Sequence, residues 1–347
     1  MDQIKDLGGR RQDLARLFQS QVPVLSLAPM QDITDFPFWK LMTRYGGADL
    51  YFTEYFRVTP DYKPEKSILR SITENPTGRP AIAQIIGNDA VAMARVAREL
   101  ERHEVAAIDL NLGCPAPVVY RKCAGGGLLR DLPRIDALLG RLRDAIDGAF
   151  TVKTRVGFES AGEFDALLEV FSRHSLDLVT VHGRTVAEKY GPQVHHDCIA
   201  QAVRLLPCPV QANGSVTSAR SALAAIEFTG AAGLMIGRGA IRNPWVFSQI
   251  RDAFAGREVV FPKGHDVLTY IEELYAAVCQ PGYPERMQIQ KMKKYMNFLG
   301  EGLEDAVRFL HDIRRCDTRA DFFGICFTHL NHDKPIALEP VGAVCAG

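Results

Sequence analysis

Residues 106–129 read AAIDLNLGCPAPVVYRKCAGGGLL. The apolar run from Ala106 to Leu112 has the length of a buried strand and stops before Pro115, which cannot donate to a ladder. A loop with three consecutive glycines, Gly125 to Gly127, follows. Cys114 therefore stands at the mouth of a strand, under a loop able to approach a ligand closely. Taken alone, such a cysteine reads as well as a small buried hydrophobe. The rest of the chain decides between the two.

Working outward, similar runs occur at 24–28, 49–55, 81–86, 151–156, 178–182, 209–212 and 233–237, which with 107–112 makes eight. Helix-length segments at 89–101, 134–145, 163–173 and 218–228 fill most gaps. The gap after the second run is broken by Pro60, Pro64 and Pro76, and only 65–72 suits a helix there. Eight strands alternating with helices predict a (β/α)8 TIM barrel. An open doubly wound sheet is disfavoured, because no Gly-x-Gly-x-x-Gly follows the first strand. Past Phe254 a linker-like stretch, 256–264, leads into purely helical pattern at 267–279, 284–299, 303–315 and 320–330. The expected organisation is a leader (1–20) with one amphipathic turn, a barrel (21–255), a small all-helical C-terminal domain (265–332) and a tail (333–347).

Composition excludes several classes. Lys and Arg total 41 and Asp and Glu 41, so net charge argues neither for nor against nucleic acid. Asp2, Asp6 and Asp13 interrupt the first twenty residues, unlike a secretory signal, and no run of eighteen apolar residues suits a membrane. The cysteines lie too far apart for CxxC metal or redox motifs. A cytoplasmic, monomeric protein with reduced thiols, no metal and no membrane contact is the expectation.

Alternation along the strands places polar groups inside the barrel. Asp109, Asn111, Lys153, Arg155, Thr180, His182, Gln211 and Asn213 point inward, joined by Gln84, while Ile108, Leu110, Val152 and Val181 meet the helices. A plain barrel core holds Val, Ile and Leu. A buried Lys or Arg costs several kcal/mol unless it is paired. Mutual pairing of Asp109 with Lys153 or Arg155 leaves Gln84, Asn111, His182 and Asn213 in need of partners, which points to a bound polar group. Asn213-Gly214-Ser215 and Gly237-Arg238-Gly239 follow the seventh and eighth runs, where barrels often bind phosphate.

These residues resemble the dihydrouridine synthase family from about Leu27 to Leu330. The carriers are Leu27-Ala28-Pro29-Met30, Asn111-Leu112-Gly113-Cys114-Pro115, Gly125-Gly126-Gly127-Leu128-Leu129, Val152-Lys153-Thr154-Arg155, Val181-His182-Gly183-Arg184-Thr185, Ala212-Asn213-Gly214 and Ile236-Gly237-Arg238-Gly239. Residues 52–59, FTEYFRVT, and the helical tail look most similar to the bacterial C-type subgroup. In one departure, Val194-His195-His196-Asp197 stands where the family often has Asp-Trp.

The resemblance implies an FMN-binding barrel followed by a tRNA-binding helical domain. It implies reduction of the 5,6 double bond of a D-loop uridine in tRNA, with NADPH or NADH as reductant. By the same resemblance Ala28, Pro29, Met30 and Gln84 contact the flavin, and Lys153 neutralises its anionic edge. Asn213, Gly214, Ser215, Gly237 and Arg238 hold the phosphate, and His182 belongs to the cofactor set. Asn111 and Arg184, with His182, orient the uracil or its phosphate. Cys114 is the acid that protonates C5, with Cys123 as a rival on the same loop. Arg286, Lys293 and Lys294 lie opposite the apolar Ile289, Met292, Met296 and Leu299 on one helix and would meet RNA phosphates. Two other readings use the same residues: an FMN-dependent dehydrogenase of a free pyrimidine, like dihydroorotate dehydrogenase, and a non-catalytic tRNA-binding module.

Overall fold

The structure, a computed structural model, describes residues 7–340. Its strands are β1 (Val24–Leu27), β2 (Leu50–Phe52), β3 (Phe56–Arg57), β4 (Ala81–Ile86), β5 (Ala107–Leu112), β6 (Phe150–Arg155), β7 (Leu178–His182), β8 (Val210–Asn213) and β9 (Gly233–Ile236). All neighbours pair in parallel, in the order β2-β1-β9-β8-β7-β6-β5-β4-β3, and β2 also pairs with β4. Tyr51 stands opposite Ala81 and Phe56 opposite Ile85, so β2 and β3 are two pieces of one interrupted strand along β4. Counted so, the sheet is a closed eight-stranded TIM barrel.

The helices in chain order are α1 (Leu7–Phe18), α2 (Phe36–Met42), α3 (Lys66–Thr73), α4 (Ala90–Glu101), α5 (Pro117–Tyr120), α6 (Leu132–Arg143), α7 (Phe164–Ser172), α8 (His196–Leu205), α9 (Ala219–Thr229), α10 (Arg238–Arg242), α11 (Val246–Phe254), α12 (Gly264–Val278), α13 (Glu285–Leu299), α14 (Ala306–Arg315) and α15 (Arg319–Leu330). Side-chain caps set several starts. Asp89 accepts from the Ala92 N–H at α4, and Asp131 from the Arg134 N–H at α6, where Pro133 suits the first turn. The leader is a three-turn helix rather than a single amphipathic turn. Its Leu14 and Phe18 join Val24, Leu50, Ile82, Ala107, Ala149 and Leu178 in one buried cluster of the barrel core.

The chain forms two compact units that are not contiguous in sequence. Of the described residues, the barrel unit takes 7–31, Asp49–Val216 and Ala224–Ile236. The second unit takes Asp32–Ala48, Thr217–Leu223 and 237–340. Within this unit the excursion after β1 is tied to α13. Phe38 stacks on Tyr295 with ring centroids 5.8 Å apart, the Tyr295 hydroxyl donates to the Ile33 carbonyl at 2.9 Å, and Lys291 meets Asp35 at 3.1 Å. Ile289, Met292, Met296 and Leu299 are all fully buried, as their spacing predicts. The start of the tail folds back onto this unit: the Ile336 N–H donates to the Pro262 carbonyl, and Leu338 is buried.

Candidate active site

The barrel interior carries the polar belt that strand alternation predicts. Register puts Gln84 beside Asp109, Asp109 beside Thr151, Asn111 beside Lys153 and His182 beside Asn213. Asp109 accepts from Gln84 Nε2 at 2.8 Å and Thr151 Oγ1 at 2.6 Å, while Lys153 acts on it through charge alone. Lys153 Nζ donates to Asn213 Oδ1 at 3.1 Å, and Asn213 Nδ2 is fixed by the Met235 carbonyl at 2.8 Å. Lower in the barrel, Gln211 bridges Thr180 and Ser26. Ser26 and Thr151 belong to this belt although no sequence motif marks them; Thr151 stands in register with Asp109, while Ser26 is reached only through the Gln211 side chain.

Asn111 organises the strand mouth. Its Oδ1 accepts both the Gly113 N–H at 3.0 Å and the Cys114 N–H at 2.9 Å, while its Nδ2 donates to Gln84 Oε1 at 2.8 Å. Cys114 is partly buried. Burial pushes its thiol above the usual range, while the Ala116 N–H, Lys153, Arg155 and Arg57 pull the other way. A thiol held protonated is a proton donor at neutral pH. Burial, with Arg155 next, brings Lys153 down to about 8, against the pull of Asp109 and Cys114. Cys123 is exposed, at the far end of the loop, with φ +51°.

The glycines let the loop pack closely on itself and on its neighbours. A Cβ on Gly125 would lie 3.1 Å from Cys114 Cβ, and one on Gly127 would lie 2.3 Å from the Tyr120 carbonyl oxygen. The run lets the turn Gly125–Arg130 pack directly on the cysteine loop.

Two buried arginines brace the rim. Arg155 Nε donates to the Gly113 carbonyl at 2.9 Å, and its Nη1 to those of Thr185 and Lys189 at 2.7 and 2.8 Å. Arg184 donates to the Gly191 carbonyl at 2.7 Å and Ser215 Oγ at 2.6 Å, and its Nη1 sits 3.0 Å from His182 Nε2. A guanidinium only donates, so Nε2 accepts and Nδ1 carries the proton of a neutral His182. In the departing segment His195 bonds Glu188 at 2.8 Å, and Glu188 accepts the Thr185 N–H, so this loop is closed by its own polar groups. Removing the guanidinium strands three carbonyls. Arg155→Met is expected to lower unfolding stability by roughly 3 kcal/mol in urea titration.

Around the same mouth, Ala28 is held by its N–H to the Ile236 carbonyl, and Pro29 and Met30 follow half-buried. Gly214 (φ +131°) and Ser215 (φ +49°) turn the chain sharply after β8. Gly237 and Arg238 come directly after β9 and open the second unit. On α13, Arg286 and Lys294 are exposed; Lys294 is 3.5 Å from Asp32. Lys293 differs. Its side chain is only 17% exposed and donates to the Arg314 carbonyl at 3.1 Å and to Asp317 at 3.4 Å, so it satisfies the end of α14.

A closed parallel barrel whose strand ends bring together a thiol, an ammonium and a row of oriented amides is the site of an α/β-barrel enzyme. The profile of the dihydrouridine synthase (Dus) family matches residues 26–323, and the chain belongs to that family. It is 34% identical over 279 residues to tRNA-dihydrouridine synthase B of Pseudomonas putida, covering 79% of this chain and 81% of that one. It is 32% identical over 256 residues to tRNA-dihydrouridine synthase B of Pasteurella multocida, covering 72% and 76%. It is 30% identical over 302 residues to tRNA-dihydrouridine(16) synthase of Pseudomonas putida, covering 84% and 93%.

The family's enzymes are flavin-dependent oxidoreductases, and the donor set here fits a flavin. A cation beside Asn213 and the Gln84 and Asn111 amides suit a heteroaromatic ring that gains negative charge on reduction.

Proposed function

We propose that this chain reduces the 5,6 double bond of a D-loop uridine in tRNA, with FMN as bound cofactor and NADPH or NADH as external reductant. The observation that carries the reading is the meeting of two held groups on adjacent strands: Asn111, which accepts the Cys114 N–H, stands in register with Lys153, which donates to Asn213. FMN, when bound, supplies the hydride that reaches uracil C6. Cys114 Sγ delivers the proton to C5, and its raised pKa keeps that proton available. Lys153 holds positive charge where the reduced ring is anionic. Ala28, Pro29, Met30 and Gln84 hold the ring, and Gly214 and Ser215 the tail, with His182 beside them. Asn111 sets the height of Cys114 through its backbone N–H, and Arg184 orients the loop over the uracil. The target base leaves its stack to enter the barrel mouth.

The test is cofactor release with mass identification, followed by NADPH-dependent dihydrouridine formation in unmodified tRNA. A protein that cannot be reconstituted with FMN, or one that oxidises NADPH and leaves tRNA uridine intact, overturns the reading.

The RNA-facing part of α13 consists of Arg286 and Lys294, which are exposed. Surface pairs such as Lys294 with Asp32 are weak and yield readily to a phosphate. Arg286→Glu with Lys294→Glu is expected to weaken tRNA binding and flatten its salt dependence by about one counterion unit per contact. Lys293→Glu is expected to lower thermal stability instead. Filter binding across a salt series checks the first, and a melting curve the second.

A further inference from the structure

Asp109 is buried, five residues before Cys114, and has no part in the chemistry above. We infer that it is a positioning residue: its carboxylate sets the direction of a hydrogen-bond relay, Asp109–Gln84–Asn111, that holds the backbone of Cys114. The inference rests on the reading of Cys114 as the working acid.

The argument is one of donors and acceptors. An ionised carboxylate only accepts. Gln84 must therefore turn Nε2 toward Asp109, at 2.8 Å, and Oε1 away from it. That oxygen can be met only by a donor, so Asn111 presents Nδ2, at 2.8 Å. Asn111 Oδ1 is then left facing the Gly113 and Cys114 N–H groups, which it accepts at 3.0 and 2.9 Å. Each amide has two orientations of almost equal shape, and the carboxylate at one end and the two backbone donors at the other require the same one. Thr151 Oγ1, at 2.6 Å, supplies a second donor to Asp109 without touching the amides. Burial lifts the Asp109 carboxyl to about 6, which leaves it ionised at pH 7.5.

Asn111→Asp frustrates the relay. Gln84 then stands between two carboxylates and can turn Nε2 toward only one of them, so its Oε1 faces the other and the segment that carries the two loop bonds is strained. Asp109→Asn alone keeps the native direction, its amide oxygen accepting from Gln84 and its Nδ2 donating to the Thr151 hydroxyl. The charge-moved double variant, Asp109→Asn with Asn111→Asp, restores every pairing in the reversed direction, because a carboxylate at 111 accepts from Gln84 and from both N–H groups.

The experiment is iodoacetamide labelling of the flavin-loaded protein at pH 7.5, resolved by tryptic peptides. Arg121 and Lys122 separate Cys114 from Cys123, which serves as the exposed internal standard. Asn111→Asp should speed Cys114 labelling relative to Cys123 by roughly tenfold or more, and the double variant should return it to the wild-type ratio. Thr151→Val should leave the ratio unchanged. An unaltered ratio in Asn111→Asp, or a double variant no better protected than the single, overturns the relay. Should Asn111→Asp fail to fold, the double variant decides alone: the relay predicts a folded, protected protein, whereas a need for a carboxylate at 109 predicts a second failure. Labelling requires no turnover, so a protein inactive on tRNA that follows this pattern loses the proposed function and keeps the relay.

Discussion

Cys114→Ala is expected to lower tRNA reduction on the order of 10²–10⁴-fold while leaving flavin content and NADPH oxidation near wild type. The thiol is poised by two opposed influences. Burial holds the proton on, and the cations Lys153, Arg155 and Arg57 keep the thiolate accessible once the proton has gone. Alanine keeps the small volume and the backbone N–H to Asn111, so the loop stays in place and only the proton donor is lost. Single-turnover reduction of tRNA by the prereduced protein separates this from cofactor effects. Cys123→Ala serves as the comparison, since Cys123 is exposed and lacks the bracket of strand-end bonds around Cys114. The assignment fails if Cys123→Ala carries the loss and Cys114→Ala does not.

Lys153→Met is expected to slow flavin reduction by NADPH about 10²–10³-fold, the usual cost of one charge-stabilising donor. Methionine matches the length of the stem and removes only the ammonium. The same group predicts a pH dependence. Its pKa lies near 8, lowered mainly by burial. The ammonium is therefore present below about 8 and lost as pH rises through that value, so the affinity of the flavin-free protein for FMN should fall across this range. In Lys153→Met that step should vanish. A titration followed by flavin fluorescence at several pH values measures both. A wild-type affinity that stays level through pH 9 would sink the assignment of Lys153 to the flavin edge.

Strand number, parallel pairing and the face of each strand were legible in the sequence, because they depend on short-range patterns. The 81–86, 107–112 and 178–182 runs coincide with β4, β5 and β7, and the inward set of Gln84, Asp109, Asn111, Lys153 and Asn213 follows from a side-chain period of two. Cys114 was legible because proline and glycine bracket it. The buried face of α13 was legible for a similar reason, since four apolar residues repeat at helical spacing.

Tertiary structure alone decided which polar groups pair. Period two puts Asp109 and Lys153 on the same inner surface, but only the barrel's stagger gives Asp109 to Gln84 and Thr151, and Lys153 to Asn213. Likewise a glycine run states that a Cβ is unwelcome without saying what would collide with it, and here the obstacle is the protein's own loop. Lys293 and Lys294 are neighbours of one chemical type, yet one caps a carbonyl of its own unit and the other stays exposed, because about 100° of helical turn separates them. The excursion after β1 has no sequence feature that assigns it to the helical unit. That membership arises from contacts such as Phe38 on Tyr295, between residues more than 250 positions apart. Local patterns encode which face a residue takes; the partner on that face is set by the three-dimensional register of distant segments.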